Sequence, residues 1–181
     1  MIETIFESKK INYCTISHDL IDDYLAMVND DSINQYISKK PQHYTKEEEM
    51  QWLKDELEKN SVIFSMVDKK SNKFIGNIEL RNVNKNLLSA ELGICITASM
   101  VDLGYGTEAI AAILRYGFET LGLITVSLAV YSFNLRAIHC YEKLGFIKTD
   151  THFNVGINNN VSFDEHTMTI NKKDFLKYER R

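Results

Sequence analysis

The sequence predicts a single α/β (α+β) domain, residues 1–181, whose mixed sheet carries helices on both faces. Apolar strand-like runs separated by polar turns fill the region from residue 62 to residue 97. Helix and strand patterns then alternate through residue 144. The chain has one proline, eight glycines and no low-complexity linker that would divide it. Such a mixture of strands and helices favours one sheet covered on each side.

In the first half, alternating and helical apolar patterns predict the following elements in chain order: strand 11–17, helix 19–28, helix 45–59, and strands 62–67, 74–80 and 87–97. Leu20, Tyr24 and Met27 share one face of the first helix. Pro41 marks a break in the chain. Thr45 and Glu48 have the spacing of a capping box, which places the start of the second helix.

In the second half, the same patterns predict helix 105–121, strand 124–130, helix 134–144, and a terminal hairpin of strands 147–155 and 161–170. Helix 105–121 has the clearest buried stripe, which includes Ile110, Ile113 and Phe118. Asn134 suits the N-cap of the next helix. Gly145 suits the position just beyond its C-terminus.

Composition excludes several classes of function. Hydrophobic residues make up 44% and charged residues 25%, which is typical of a globular protein. With a net charge of −4, we expect no nucleic-acid partner. No apolar run approaches 18 residues, so we expect no membrane span, and the N-terminus lacks the pattern of a signal peptide. The three cysteines lack metal-ligand spacing, which favours free thiols in the cytoplasm and no metal site.

The segment Gly104-Tyr-Gly-Thr-Glu-Ala109 lies between a predicted strand and a predicted helix. Glycines let the backbone approach a ligand closely, and a helix N-terminus presents free N–H groups, so the segment suits a phosphate or pyrophosphate. It also fits the dinucleotide fingerprint of a Rossmann module, which stays an alternative. Two features disfavour that alternative: residues 98–103 separate the glycines from the strand, and no acidic residue ends the next strand.

A second segment, Asn134-Leu-Arg-Ala-Ile-His-Cys-Tyr-Glu-Lys-Leu-Gly-Phe146, follows the next predicted strand. Periodicity alone places Tyr141 on the apolar face of its helix. Together with the glycine segment and Glu91-Leu-Gly-Ile-Cys-Ile96, it resembles the GNAT superfamily of acetyl-CoA-dependent N-acetyltransferases. Residues 29–37 and 67–76 resemble the branch that contains ribosomal-protein N-terminal and spermidine acetyltransferases.

The resemblance implies a mostly antiparallel sheet with splayed central strands, and acetyl-CoA as co-substrate. It implies cofactor contacts from three places: Ile94, Cys95 and Ile96 along pantetheine, Leu103, Gly104, Tyr105, Gly106 and Thr107 at the pyrophosphate, and Asn134 beside the thiol. Arg136 or Lys143 would meet the nucleotide phosphates, and Tyr141 would protonate the departing thiolate. Asp102 is a departure from the family pattern, because a carboxylate near a pyrophosphate is repulsive.

The implied reaction transfers an acetyl group directly to a primary amine of a small molecule or a protein N-terminus. Glu79 and Glu91, on neighbouring predicted strands, are the candidate proton acceptors. Trp52, beside the acidic run 47–49, is a candidate wall of the acceptor pocket. A non-catalytic module that binds or senses acyl-CoA is the alternative function, and the terminal hairpin makes a homodimer an expectation.

Overall fold

The centre of the protein is an eight-stranded sheet in a computed structural model that describes residues 2–40, 42–59 and 61–179. The strands are β1 Thr4–Glu7, β2 Ile11–Cys14, β3 Val62–Asp68, β4 Phe74–Asn84, β5 Ser89–Ile96, β6 Thr125–Tyr131, β7 Ile147–Asn158 and β8 Val161–Asn171. Their order is β1-β2-β3-β4-β5-β6-β8-β7, and only the β5–β6 pair is parallel. The predicted mixed, mostly antiparallel sheet is confirmed, and it differs from the parallel sheet of a Rossmann module.

Helices cover both faces of this sheet, as predicted. They are α1 Ile21–Val28, α2 Asp31–Ile37, α3 Lys46–Lys59, α4 Tyr105–Arg115, α5 Leu135–Leu144 and α6 Lys172–Glu179. One apolar cluster joins α1, α2 and α3 to the sheet through residues such as Tyr24, Ile33 and Leu53. A second cluster joins α4, α5 and α6 to the sheet and includes Ile110 and Leu144. The core therefore has two layers, one on each side of the strands.

The two central strands, β5 and β6, are paired over only part of their length. Their register runs from Ser89↔Thr125 to Glu91↔Ser127 and then stops. Beyond that point β5 remains paired with β4 as far as Ile96, and β6 remains paired with β8 as far as Tyr131. The predicted splay of the central strands is therefore confirmed, and it leaves a gap in the middle of the sheet.

Three short-range sequence signals are confirmed at helix ends. At the start of α3, the Thr45 Oγ1 accepts the Glu48 N–H at 3.2 Å, and the Glu48 carboxylate accepts the Thr45 N–H at 2.8 Å. Asn134 caps α5 by accepting the Ala137 N–H at 3.3 Å. Gly145 has a φ of +98° and ends α5. These caps place the helices that border the gap between β5 and β6.

Several elements differ from the prediction. The strand β1 and the helices α2 and α6 were not predicted, because each is short and its polar residues hide the periodicity. The helix predicted to reach residue 121 changes at Tyr116–Thr120 into a π-helical turn. The terminal hairpin closes at Asn159 and Asn160, both at positive φ, so its turn is shorter than predicted. Pro41 lies outside the described residues.

No helix of the described chain has the length and apolar character needed to cross a membrane. Within residues 2–40, 42–59 and 61–179, no group of three or more His, Cys, Asp or Glu side chains is arranged to hold a metal ion. The cysteines Cys14, Cys95 and Cys140 are free thiols.

Candidate active site

A cleft of about 710 Å³ passes through the sheet at the gap between β5 and β6. Successive residues of a strand point to opposite faces, so Gly93 and Cys95 face one side while Ile94 and Ile96 face the other. All four line this one cleft. The cleft therefore has two chambers, a cofactor-side chamber under α4 and α5 and an opposite chamber under α1, α2 and α3.

The cleft brings together most of the residues that the sequence analysis named. It is lined by Glu79, Ile94, Cys95, Ile96, Gly104, Gly106, Thr107, Asn134, Arg136 and Tyr141. The remaining four candidates, Leu103, Tyr105, Glu91 and Lys143, do not contribute to its lining. Chemical roles for all of these residues remain predictions, and the geometry below shows what each position allows.

The start of α4 opens into the cofactor-side chamber. Gly104 is the N-cap residue, with a φ of +80°, and no side chain caps the first turn. A residue with a side chain is strained at that backbone angle, whereas glycine is not. The Thr107 Oγ1 lies 3.2 Å from the Cys140 Sγ, and this contact links α4 to α5. The open N–H groups and the helix dipole make this chamber suitable for an anion.

Lys10 holds the same loop from the outside. Its ammonium donates to the Leu103 carbonyl at 2.9 Å and lies 4.8 Å from the centroid of the Tyr105 ring. Its backbone N–H donates to Glu108 at 2.6 Å. The Tyr105 hydroxyl donates to the Asp68 carboxylate at 2.7 Å. The carbonyl of Leu103 and the ring of Tyr105 are thus used to fasten the loop rather than to line the cleft.

Asp102, the departure from the family pattern, has a cation nearby. Its carboxylate lies 3.8 Å from the Arg136 guanidinium, and both side chains are mostly exposed. An exposed pair of this kind contributes about 0–1 kcal/mol to stability. Arg136 thus offsets part of the negative charge that Asp102 brings to the mouth of the cofactor-side chamber.

Tyr141 is buried on α5 with its side chain lining the cleft. Burial raises the pKa of its hydroxyl above the ordinary value for tyrosine. Its ring contacts Phe146 edge to face, with centroids 5.7 Å apart, and its carbonyl accepts the Phe146 N–H at 3.1 Å. The end of α5 therefore fixes a phenol that keeps its proton at neutral pH, as a proton donor must.

The floor of the opposite chamber is formed where β4 and β5 pair, with Glu79 opposite Gly93. A Cβ atom on Gly93 would lie only 2.4 Å from the Glu79 Oε1, so glycine allows the carboxylate to lie across β5. The sequence analysis missed this role of Gly93. The signal is a glycine directly across from an acidic residue, and it becomes visible only when the register is known.

Arg81 lies between the two candidate proton acceptors. Its guanidinium is 3.5 Å from the Glu79 Oε1 and donates to the Glu91 Oε1 at 2.6 and 3.0 Å. Asn82 donates to the other oxygen of Glu91 at 3.0 Å. Burial raises the pKa of Glu79, and the nearby Arg81 opposes that rise.

The outer wall of the opposite chamber comes from α2, α3 and the segment between them. It contains Tyr36, Tyr44, Trp52 and the carboxylates of Glu48 and Glu49, and Glu165 adds a further carboxylate from β8. Trp52 packs edge to face on Tyr24 with centroids 5.8 Å apart. Among the described residues of this chamber, the carboxylates outnumber the one guanidinium, which belongs to Arg81. The resulting negative charge suits a cationic ligand.

The sheet has a gap between two central strands, and a helix N-terminus lies beside that gap. Both are features of an acetyltransferase domain. The chain belongs to the acetyltransferase (GNAT) domain family, whose family model matches residues 14–147. It is 31% identical over 98 residues to the SPbeta prophage-derived uncharacterized N-acetyltransferase YokL of Bacillus subtilis (strain 168), covering 54% of this chain and 55% of that protein.

A second relative is a spermidine N(1)-acetyltransferase of Escherichia coli (strain K12). It is 38% identical over 71 residues, which cover 39% of this chain and 38% of that protein. The matches therefore span about half or less of the length of these curated relatives. The spermidine N-acetyltransferase of Vibrio cholerae, solved in complex with CoA and spermine, superposes with a TM-score of 0.85. It is 22% identical and covers 93% of this chain and 99% of its own, which shows a shared fold.

The contact between Asp68 and Tyr105 predicts a pH-dependent contribution to stability. Hydrogen bonds from Ser71 and Tyr105 lower the pKa of Asp68 to about 2. A carboxyl whose pKa is lower when folded contributes stability above its unfolded pKa of about 4, and this is lost as the pH falls toward 2. We expect Asp68→Asn to lower the free energy of unfolding at pH 7, and the deficit to shrink between pH 4 and pH 2.

Urea unfolding at a series of pH values measures this deficit. Asp23→Asn is the control, because Asp23 is an exposed residue of α1. A deficit for Asp68→Asn that stays the same from pH 7 to pH 2 would contradict the role given to the ionised carboxylate.

Proposed function

We propose that residues 1–181 act as one catalytic domain, an acetyl-CoA-dependent N-acetyltransferase that moves an acetyl group to a primary amine. The observation that carries this proposal is the cleft through the sheet, which joins an anion-binding helix N-terminus to an acidic chamber. The family supports the reaction class. The names of the relatives, several of which are spermidine acetyltransferases, support an amine acceptor.

In this proposal, acetyl-CoA supplies the acetyl group as a thioester. The backbone amides of residues 103–107 hold its pyrophosphate, and the β5 edge from Ile94 to Ile96 holds the pantetheine arm. A backbone N–H near Cys95 polarises the thioester carbonyl, where an oxyanion donor typically contributes about 10²–10³-fold in rate. Asn134 lies beside the thiol end of the cofactor, and Tyr141 donates a proton to the departing sulfur.

The amine attacks the thioester directly, without an acetylated enzyme as intermediate. Cys95 is the thiol that faces the opposite chamber, and burial raises its pKa to about 12. A raised pKa disfavours the thiolate, which is the nucleophilic form. Both substrates must therefore occupy the cleft together, and the two chambers provide the space for that.

The acceptor in this proposal is a small cationic amine. The chamber under α1, α2 and α3 is lined by carboxylates and by the rings of Tyr36, Tyr44 and Trp52, and both features bind ammonium groups. A polyamine fits these features better than a protein N-terminus, whose neighbouring residues carry no fixed charge. Glu79 forms part of the acidic floor, and Glu91 lies behind it, where it acts on the chamber through Arg81.

Cellular location and assembly are further parts of the proposal. Three free cysteines are in keeping with a cytoplasmic enzyme. The strand β7 is at one edge of the sheet and exposes the large apolar residues Ile147, Phe153 and Ile157. We propose that a second copy of the chain covers this edge in a homodimer, because an uncovered apolar edge strand invites association.

The first test is release of CoA thiol from acetyl-CoA in the presence of a panel of amines. We expect turnover with polyamines to exceed turnover with neutral-chain monoamines and with short peptides, because of the acidic chamber. Cofactor binding without turnover on any amine would favour the alternative function, a module that senses acyl-CoA. Binding of NAD in place of acetyl-CoA would contradict the proposal.

Tyr141→Phe tests the proton donor. The change removes only the hydroxyl, and we expect kcat to fall by about 10²–10⁴-fold while the Kd for acetyl-CoA stays within about twofold. Steady-state kinetics and calorimetric titration measure the two quantities. Tyr116→Phe, which changes a tyrosine of the π-helical turn outside the cleft, is the control. Equal kcat values for the two variants would remove Tyr141 from the mechanism.

Cys95→Ala tests direct transfer. We expect kcat to stay within about twofold of the wild type, because a thiol with a raised pKa is a poor nucleophile. Mass spectrometry of the wild-type protein after incubation with acetyl-CoA alone is the companion measurement, and we expect no acetylated cysteine. Loss of turnover in Cys95→Ala, together with an acetyl adduct on Cys95, would replace direct transfer by a two-step mechanism.

A further inference from the structure

Glu49 is an unpartnered carboxylate buried at the cleft. Its residue is 7% exposed, and its side chain lines the opposite chamber. Among residues 2–40, 42–59 and 61–179, no cation pairs with this carboxylate and no group donates a hydrogen bond to it. Burying an ionised group without a partner is unfavourable. Such a group in a cleft indicates that a ligand supplies the missing partner.

The start of α3 explains why Glu49 points inward. Glu48 folds back on Thr45 to close the capping box, which holds the helix end in register. Leu53, one turn after Glu49, is fully buried in the cluster under α3. Residues four apart lie on the same face of a helix, so Glu49 shares the inward face with Leu53. There its negative charge acts on Cys95, the residue beside the expected thioester carbonyl.

Glu79 and Glu91 are in a different electrostatic position. The guanidinium of Arg81 lies 3.5 Å from the Glu79 carboxylate and also pairs with Glu91, and the cation opposes the rise that burial causes in the pKa of Glu79. Glu91 in addition lies outside the lining of the cleft. Glu49 has no such cation, and burial alone raises its pKa. Of Glu49 and Glu79, which both line the cleft, only Glu49 lacks a cation within the described part of the chain, so its oxygens are available to an ammonium group.

We propose that Glu49 is the residue that binds the ammonium group of the acceptor and accepts its proton before the attack on the thioester. This inference rests on the proposed function. An ammonium nitrogen carries three protons and the amide product carries one, so two must leave. One passes to Glu49 and then to solvent, which frees the nitrogen lone pair to form the bond to the carbonyl carbon. The carbon–sulfur bond then breaks with its electron pair on sulfur, and the second proton ends on the thiol through Tyr141.

Several other titratable or charged groups face the chamber around Glu49. They are Tyr24 on α1, Tyr36 on α2, Tyr44 before α3, Glu48 on α3, Glu79 and Arg81 on β4, Cys95 on β5, Tyr131 on β6 and Glu165 on β8. Glu79 is paired with Arg81, and the Glu48 carboxylate accepts the Thr45 N–H. The comparison of carboxylate variants at the chamber therefore isolates the contribution of Glu49.

Glu49→Gln removes the proton acceptor and keeps the size of the side chain. We expect kcat/KM for the amine to fall by about 10²-fold at pH 7, within the range of general base catalysis. The variant can use only amine that is already neutral, so its rate should rise nearly tenfold per pH unit below the amine pKa of about 10. The wild-type rate should change far less between pH 7 and pH 9. Affinity for CoA should be unchanged.

Glu47→Gln is the matched control, because Glu47 is an exposed carboxylate in the same helical turn. It should behave as the wild type at every pH. Glu49→Asp retains a carboxylate in the chamber, and we expect a lower rate with the flat pH profile of the wild type. Thermal unfolding supplies a readout apart from activity. Since the unpartnered charge is unfavourable when buried, Glu49→Gln should have a Tm equal to or above that of the wild type at pH 8.

Three results would overturn the inference: an unchanged rate in Glu49→Gln, a loss that is the same at every pH, or the steep pH profile appearing in Glu79→Gln instead. A lower Tm for Glu49→Gln would also oppose it, since that would indicate a structural partner for the carboxylate. These outcomes require an active wild type. Absence of turnover in the wild-type protein is a failure of the proposed function and is recognised before any variant is compared.

Discussion

The incomplete pairing of β5 and β6 is the constraint on which the rest of the site depends. The two strands share hydrogen bonds only up to Glu91 and Ser127, and each then follows its other neighbour. A continuous sheet would separate the chamber under α4 and α5 from the chamber under α1, α2 and α3. Because the sheet is open here, Ile94 from one face and Cys95 from the other line the same cleft. A bulky donor and a small acceptor can meet within it.

The two chambers differ in electrostatic character. The cofactor side uses uncharged backbone N–H groups at Gly104 and the dipole of α4, which suit a phosphorylated group without a cluster of basic residues. The opposite chamber is lined by carboxylates. Arg81 offsets the charge of Glu79 and Glu91, whereas no cation of the described residues pairs with Glu49. This difference explains why a chain with a net charge of −4 suits both an anionic donor and a cationic acceptor.

Much of the fold was predictable because its signals are periodic or local. The stripe of Ile110, Ile113 and Phe118 identified α4 and the π-helical turn that follows it, and all three residues are buried. Short elements such as β1 and α2 carry too few residues for periodicity to appear. Gly104, Gly106 and Tyr141 line the cleft and their roles stay predictions, whereas Lys10 and Asp68 had no sequence signal. Each contacts the loop from a strand or turn many residues away.

The sequence by itself determined the features whose hydrogen bonds close within a few residues. The capping box at Thr45, the N-cap at Asn134 and the end of α5 at Gly145 depend only on local side chains and backbone angles. Tertiary structure alone decided which carboxylates reach the cleft and which of them have a cation. Strand register brings Gly93 under Glu79. The packing of α3 turns Glu49 toward Cys95. Sequence alone could not show either contact, because each joins elements that are distant along the chain.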